Sequence, residues 1–214
     1  MKIYVETLPR DRYYIDRESR ARFITDCFFH TLREPLLDIG CDRQYLRQYL
    51  PDGFKYMGLD ITGSADVRCN LDQGYLPIKP NSFASVVCTD VLEHLENIHL
   101  VFEELFNIST RYIILSLPNA WNHLLSAMVK GRVDGDKYGL PVSAPSDRHR
   151  WFFNCTEAKQ FLIENIACRA KSVTFYYYYG YVKRGIILKT ARVLLPSSRF
   201  DNFFTNTLWV IIEK

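Results

Sequence analysis

The stretch from Pro35 to Asp60, PLLDIGCDRQYLRQYLPDGFKYMGLD, constrains the fold more than any other part of the chain. Leu36, Leu37, Asp38 and Ile39 form a short apolar run ending at Gly40. A run of that kind reads as a buried parallel strand entering a tight turn. Tyr45, Leu46, Tyr49 and Leu50 then follow a helical period, and Pro51, Asp52 and Gly53 stop it. A second apolar strand, Tyr56 to Leu59, ends on Asp60. Strand, glycine turn, helix, strand and acid are the parts of a nucleotide-binding βαβ unit, and Asp60, twenty positions past Gly40, stands where such units carry a ribose-binding acid. Gly40 lets the backbone turn and approach a ligand closely. The helix start behind it offers unpaired N–H groups.

The rest of the chain alternates in the same manner. Asp16 caps a helix running to Leu32, with Ile15, Phe23, Ile24, Cys27 and Phe28 on one face and Arg17, Arg20 and Arg22 elsewhere. The residues before Asp16 are polar and irregular. A loop from Ile61 to Asn70 holds a short strand, 65–68. Ala84 to Cys88 is a continuous apolar strand, and Thr89 and Asp90 sit at its carboxyl end, where open α/β sheets bind ligands. VLEHLENI begins a helix through Phe106, Tyr112 to Leu117 is a further strand, and Pro118 and Asn119 end it. Between Ala120 and Arg148 the pattern weakens to one short helix (Trp121, Leu124, Leu125, Met128) and a glycine- and proline-punctuated loop. Loops of that length in a compact domain are usually lids or binding loops, so this segment is expected to be a substrate lid. A helix capped by Asn154 or Thr156 follows, then a strand from Val173 to Tyr179 whose consecutive tyrosines should alternate between core and solvent or a partner. Ile187, Leu188, Ala191, Leu194 and Leu195 share one face of a helix carrying Lys189 and Arg192 on the other, after Lys183 and Arg184. That helix is core-packed or, alternatively, a basic patch for a membrane surface or phosphate-bearing substrate. Asn206 to Glu213 closes the sheet.

At 214 residues the chain suits one domain, and 48% hydrophobic residues suffice for its core. A net charge of +3 is too small to argue for nucleic acid. No apolar stretch reaches the roughly 18 residues of a membrane span, and MKIYVETLPRDR lacks an apolar secretion segment. The six cysteines, scattered without C-x-x-C spacing, fit reduced thiols in a cytoplasm, which is the expected location.

DIGC, GLDI and NLDQGYLPIKPNSFASVVCTDVLEHL together resemble the class I S-adenosylmethionine-dependent methyltransferases, in particular the small type 11-like branch with motifs D-x-G-C-G-x-G, L-P-F-x-x-x-S-F-D and V-L-E-H. The likeness covers roughly residues 36–153. It departs in the glycine loop, where the resembling proteins carry glycine and this chain has Asp42 and Gln44. Asp42 could bind the methionine ammonium of the cofactor or repel its carboxylate. The resemblance implies a doubly wound α/β fold: a seven-stranded, mostly parallel, Rossmann-like sheet with a last antiparallel strand, spanning residues 1–214 as one domain with a lid-like insertion at about 120–148. It implies S-adenosylmethionine as cofactor, held by Asp38, Gly40, Cys41, Asp42, Asp60, Ile61, Leu71, Asp72, Thr89, Asp90 and His94, with Asp72 on the adenine amino group. Asn119 should face the cleft, and His149, Arg150 and Trp151 should return the lid to it. If the acceptor is a hydroxyl a base is needed, and Asp90 and His149 are the candidates. No metal site is expected from the single pair Glu93 and His94. The expected reaction is methyl transfer to a small-molecule or a sugar- or lipid-linked acceptor, with peripheral membrane contact possible. The alternatives are a non-catalytic binding protein of the same fold and a tRNA or protein methyltransferase served by the arginine-rich start.

Overall fold

The computed structural model describes residues 1–214 except 10, 62, 74, 133–136, 146–147 and 181–184; the side chains of 167 and 185–188 are also outside the description. Its strands are β1 (Lys2–Thr7), β2 (Leu36–Ile39), β3 (Tyr56–Asp60), β4 (Val67–Arg68), β5 (Phe83–Thr89), β6 (Ser109–Pro118), β7 (Ser172–Tyr178) and β8 (Thr207–Glu213). Its α-helices are α1 (Arg17–Phe28), α2 (Ile98–Ile108), α3 (Ala120–Val129), α4 (Cys155–Ile166), α5 (Gly185–Leu194) and α6 (Ser197–Phe204). The strands form one sheet in the order β1-β7-β8-β6-β5-β2-β3-β4. All neighbours are parallel except β8, which runs antiparallel between β6 and β7.

The continuous apolar runs follow from burial on both faces of the sheet. Along β2 and β5, Leu37, Ile39, Val86 and Cys88 pack in the cluster shared with α2 and α4, while Leu36 and Val87 pack in the cluster shared with α1. The tyrosine strand obeys the same rule. Tyr177 packs on the first face and Tyr176 and Tyr178 on the second, so the expectation that one set would face solvent or a partner is corrected. Tyr178 lies 4.7 Å from Tyr14 in a stacked pair, and Phe23, Phe28 and Trp209 complete an aromatic layer under α1. Asp16 caps α1 through a reciprocal pair with Ser19: its carboxylate accepts from the Ser19 backbone N–H, and Ser19 Oγ accepts from the Asp16 N–H.

Four local expectations change. The polar start contains β1, an eighth strand paired parallel to β7 from Lys2–Ser172 to Thr7–Tyr177. All six of its residues are exposed, so burial leaves no periodic mark in its sequence. Tyr45–Tyr49 is a 3-10 helix, not an α-helix. Leu92–His94 is likewise a separate 3-10 turn, and α2 begins only at Ile98. Asn119 turns inward: it caps α3 by accepting from the Trp121 and Asn122 N–H groups and donates to the carbonyls of Asn202 and Thr205. With every polar atom used in tying α3 to α6, it is a structural residue and does not face the cleft. On α5, Ala191 is half-buried and Val193 and Leu194 are exposed; Lys183, Arg184 and the side chains of Ile187 and Leu188 lie outside the described residues.

Candidate functional site

A cleft of about 670 Å³ opens at the carboxyl ends of β2, β3 and β5. Strand β2 is the point where chain order reverses, with β3 on one side and β5 on the other. Connections leave such a point in opposite directions and part to form a crevice.

The first turn is built by Gly40 at φ +73°, with its N–H on the Leu59 carbonyl at 2.8 Å. A Cβ at Gly40 would stand 2.3 Å from Val91 Cγ2, so the loop after β5 closes directly on this turn. Asp42 and Gln44, the positions that depart from the glycine pattern, adopt φ +50° and +56°. Both therefore keep the left-handed backbone that a glycine would take without strain. Both side chains are engaged by neighbours. Asp42 pairs with Arg17 of α1 at 3.0 Å, and Gln44 donates to the Ser64 carbonyl. Asp60 accepts the Asp42 N–H at 2.8 Å, so the acid at the end of β3 also pins the loop after β2.

Asp38 lies beneath this loop. It is buried and accepts from the Tyr56 hydroxyl at 2.6 Å. Burial pushes its carboxyl up to about 7; the Tyr56 hydrogen bond and Arg20 oppose the rise and Asp60 adds to it. Across the cleft Asp90, at φ +51°, pairs with Arg20 and accepts from Ser116 Oγ. Burial would lower the Arg20 pKa, but Asp90 and the neighbouring acids leave it above its ordinary value. Asp72 accepts the Glu96 N–H at 2.8 Å and stands 4.0 Å from the Arg150 guanidinium.

Of the residues expected to bind or react, Asp38, Gly40, Cys41, Asp42, Asp60, Ile61, Leu71, Asp72, Thr89, Asp90 and His94 all line this cleft. His149 does not. It is 3% exposed, with its ring edge-on to His94 at 4.6 Å and to Tyr138 at 4.9 Å. Trp151 is also off the cleft wall, its indole N–H on the Leu95 carbonyl at 2.6 Å. The expectation that both face the cleft is corrected: the returning chain docks on the turn after β5. There the N–H groups of Arg150 and Trp151 meet the Glu93 carbonyl, and Arg150 Nε donates to His94 O.

Arg150, expected at the return of the lid, does line the cleft, whereas Arg17, Arg20, Arg148 and Pro145 were not anticipated in the site. For α1 a signal was present. Arg17, Arg20, Ala21 and Ile24 stand at i, i+3, i+4 and i+7, one helix stripe, and that stripe faces the cleft. Hydrophobicity alone puts these arginines apart from Ile24, whereas the helix period puts Arg17 and Arg20 in line with it.

No protein-family model and no curated protein matches the chain. Solved structures do match in fold. A SAM-dependent methyltransferase from Archaeoglobus fulgidus superposes with TM-score 0.60 at 14% identity, over 96% of this chain and 97% of the other. The small RNA methyltransferase HEN1 superposes with TM-score 0.59 at 15% identity, over 92% of this chain and 25% of that longer one. The plantazolicin methyltransferase BamL, solved with a triazolic desmethyl analogue and SAH, gives TM-score 0.54 at 17% identity, over 92% of this chain and 82% of the other. The fold is that of the SAM-dependent methyltransferases.

Proposed function

We propose that this chain is a methyltransferase that uses S-adenosylmethionine and acts on a small-molecule or a glycan- or lipid-linked acceptor. The observation that carries the reading is the coincidence of three features at the switch point: a left-handed glycine turn, the buried carboxyl of Asp38 beneath it and Asp60 opposite. Asp60 would receive the ribose hydroxyls, Asp38 would face the amino-acid end of the cofactor, and Leu71 and Asp72 would flank the adenine. A sulfonium methyl is already activated, so the protein's task is to align donor and acceptor away from water. Orientation of that kind supplies roughly 7–11 kcal/mol of a barrier.

Of the two candidate bases, Asp90 alone lines the cleft. Held by Arg20 and Ser116, it is an oriented hydrogen-bond acceptor for an incoming hydroxyl. His149 is buried away from the cleft, its ring edge-on to His94. Residues 120–148 would cover the acceptor. Pro145 and Arg148 reach the cleft, and Met128, Val129, Leu140 and Val142 stand exposed along the same segment. Exposed aliphatic side chains on the segment that reaches the cleft suit an apolar or lipid-linked acceptor. Three of the four arginines at the cleft argue against a nucleic acid, because Arg17, Arg20 and Arg150 are paired with Asp42, Asp90 and Glu96. The Arg17–Asp42 pair also weakens the non-catalytic alternative, since it turns the carboxylate of the altered loop toward α1.

The test is calorimetry with S-adenosylhomocysteine on the wild type and Asp60→Ala. Hydrogen bonds to a charged group contribute about 1.5–3 kcal/mol, so the variant should bind roughly 10- to 100-fold more weakly. Equal affinity, with the circular dichroism spectrum unchanged, would remove Asp60 from the ribose site. No binding by the wild type at millimolar ligand would end the enzyme reading.

A further inference from the structure

The turn after β5 holds a feature that methyl transfer does not require. Glu93 is 1% exposed, and no other described residue donates a hydrogen bond to either of its carboxylate oxygens. Burying a polar group without a partner is costly, and a carboxylate more so. Two imidazoles stand beside it. His94 Nε2 stands 3.5 Å from Glu93 Oε1, and ligand atoms of Glu93, His94 and His149 all lie within 4.8 Å of one another.

The proton on His94 can be assigned from its other nitrogen. Nδ1 lies 3.2 Å from the Arg148 carbonyl, and a carbonyl only accepts. Nδ1 therefore carries the hydrogen. In the neutral ring this leaves a lone pair on Nε2, turned toward the Glu93 carboxyl. A ring N–H fixed on a backbone carbonyl, with the opposite nitrogen turned to a carboxylate and a second imidazole, is the arrangement that orients a metal-bound histidine.

We propose that Glu93, His94 and His149 form a binding site for one divalent first-row transition metal. Two imidazoles and one carboxylate favour ions of the Mn²⁺, Fe²⁺, Co²⁺ and Zn²⁺ class over Mg²⁺ or Ca²⁺, which prefer all-oxygen sets. The ion supplies what the carboxylate lacks, a positive partner at its buried oxygens. Three protein ligands leave a four-coordinate ion one further position. Of the three ligands, His94 is the one that lines the cleft. Glu93 and His94 belong to the turn after β5, whereas His149 belongs to the chain returning from residues 120–148, so the ion would also clamp that return onto the cleft wall. Asp90, Arg20 and Lys137 are the charged groups in electrostatic reach of Glu93. Asp90 is already engaged by Arg20 and is left out of the ligand set.

The experiment is a Co²⁺ titration of the full, tag-free chain after chelator treatment, followed by visible d–d absorption and competed with Zn²⁺. One Co²⁺ per chain should bind with the intense band of a four-coordinate ion and be displaced by one Zn²⁺. Glu93→Gln and His149→Asn should weaken binding by more than the roughly 10- to 100-fold that loss of an outer-shell partner costs a metal site. Because both are buried and could unfold the chain, His94→Gln on the cleft wall serves as the third variant and must show the same loss. His123→Asn, at a histidine outside the cluster, should bind normally. Absence of a band at millimolar Co²⁺, or a band that survives Glu93→Gln or His94→Gln in folded protein, overturns the site. S-adenosylhomocysteine binding measured on the same chelated sample keeps failure of the metal site distinct from failure of the methyltransferase reading.

Discussion

Replacing Gly40 by alanine tests how tightly the cleft's first turn is built. Two separate penalties apply. Gly40 sits at φ +73°, and a Cβ in the left-handed region costs about 1–2 kcal/mol. The same Cβ would meet Val91 Cγ2 at 2.3 Å, well inside van der Waals contact, and Val91 is wedged at the foot of the loop that also carries Asp90. Forcing a methyl into a filled space costs about 1–3 kcal/mol. Gly40→Ala should therefore lose about 2–5 kcal/mol in denaturant unfolding. Val91→Ala removes the atom in the way while leaving Val91 Cβ at 3.6 Å, an ordinary contact. The double variant should regain the overpacking share and keep only the backbone share, a coupling of the size expected for residues in contact. S-adenosylhomocysteine calorimetry on the same proteins should show Gly40→Ala binding more weakly than its stability loss alone explains, because the turn faces the ligand. A Gly40→Ala protein as stable as the wild type, or a double variant no better than the single one, would refute the stated geometry of the loops after β2 and β5.

The Asp38 carboxyl, raised to about 7 by burial, holds in the folded state a proton that the unfolded chain releases near 3.8. The stability this contributes is fully present at low pH and is lost as pH rises toward 7, a slope that urea midpoints should show and that Asp38→Asn should flatten. Glu93, also raised by burial, acts in the same direction, so the Asn variant is the needed control. If Asp38 receives the cofactor's ammonium, S-adenosylhomocysteine affinity should rise by up to about tenfold per pH unit as pH approaches 7 and then level off; a flat profile would place the ammonium elsewhere. Asp42→Gly releases Arg17 but relieves a left-handed non-glycine residue, so cofactor affinity should stay within a few-fold of wild type or improve. A large loss by calorimetry would instead make Asp42 a cofactor ligand.

The legible part of this protein was the part whose cause is local. Strands β2 and β5 are covered on both sides, so each is largely apolar, and that mark survives in a linear reading. Gly40 and Asp60 were found by spacing, because one βαβ unit sets their separation without help from the rest of the chain. The same logic explains the failures. Strand β1 gains its place by edge hydrogen bonds to β7 and buries no side chain, so it carries no pattern to read. Asp42 and Gln44 break the glycine pattern in sequence yet keep its backbone angles, which only the folded loop reveals. Arg20 and Asp90 are 70 residues apart, and they meet because α1 seats its Phe23 on Tyr178 and Trp209. His149 met Glu93 and His94 in the same way, across 55 residues and through backbone hydrogen bonds of the returning chain. Periodicity reports which side of an element is covered, so the sequence by itself determined the sheet and the position of its crevice. Which charges meet across that crevice depends on contacts between elements, and those the tertiary structure decided.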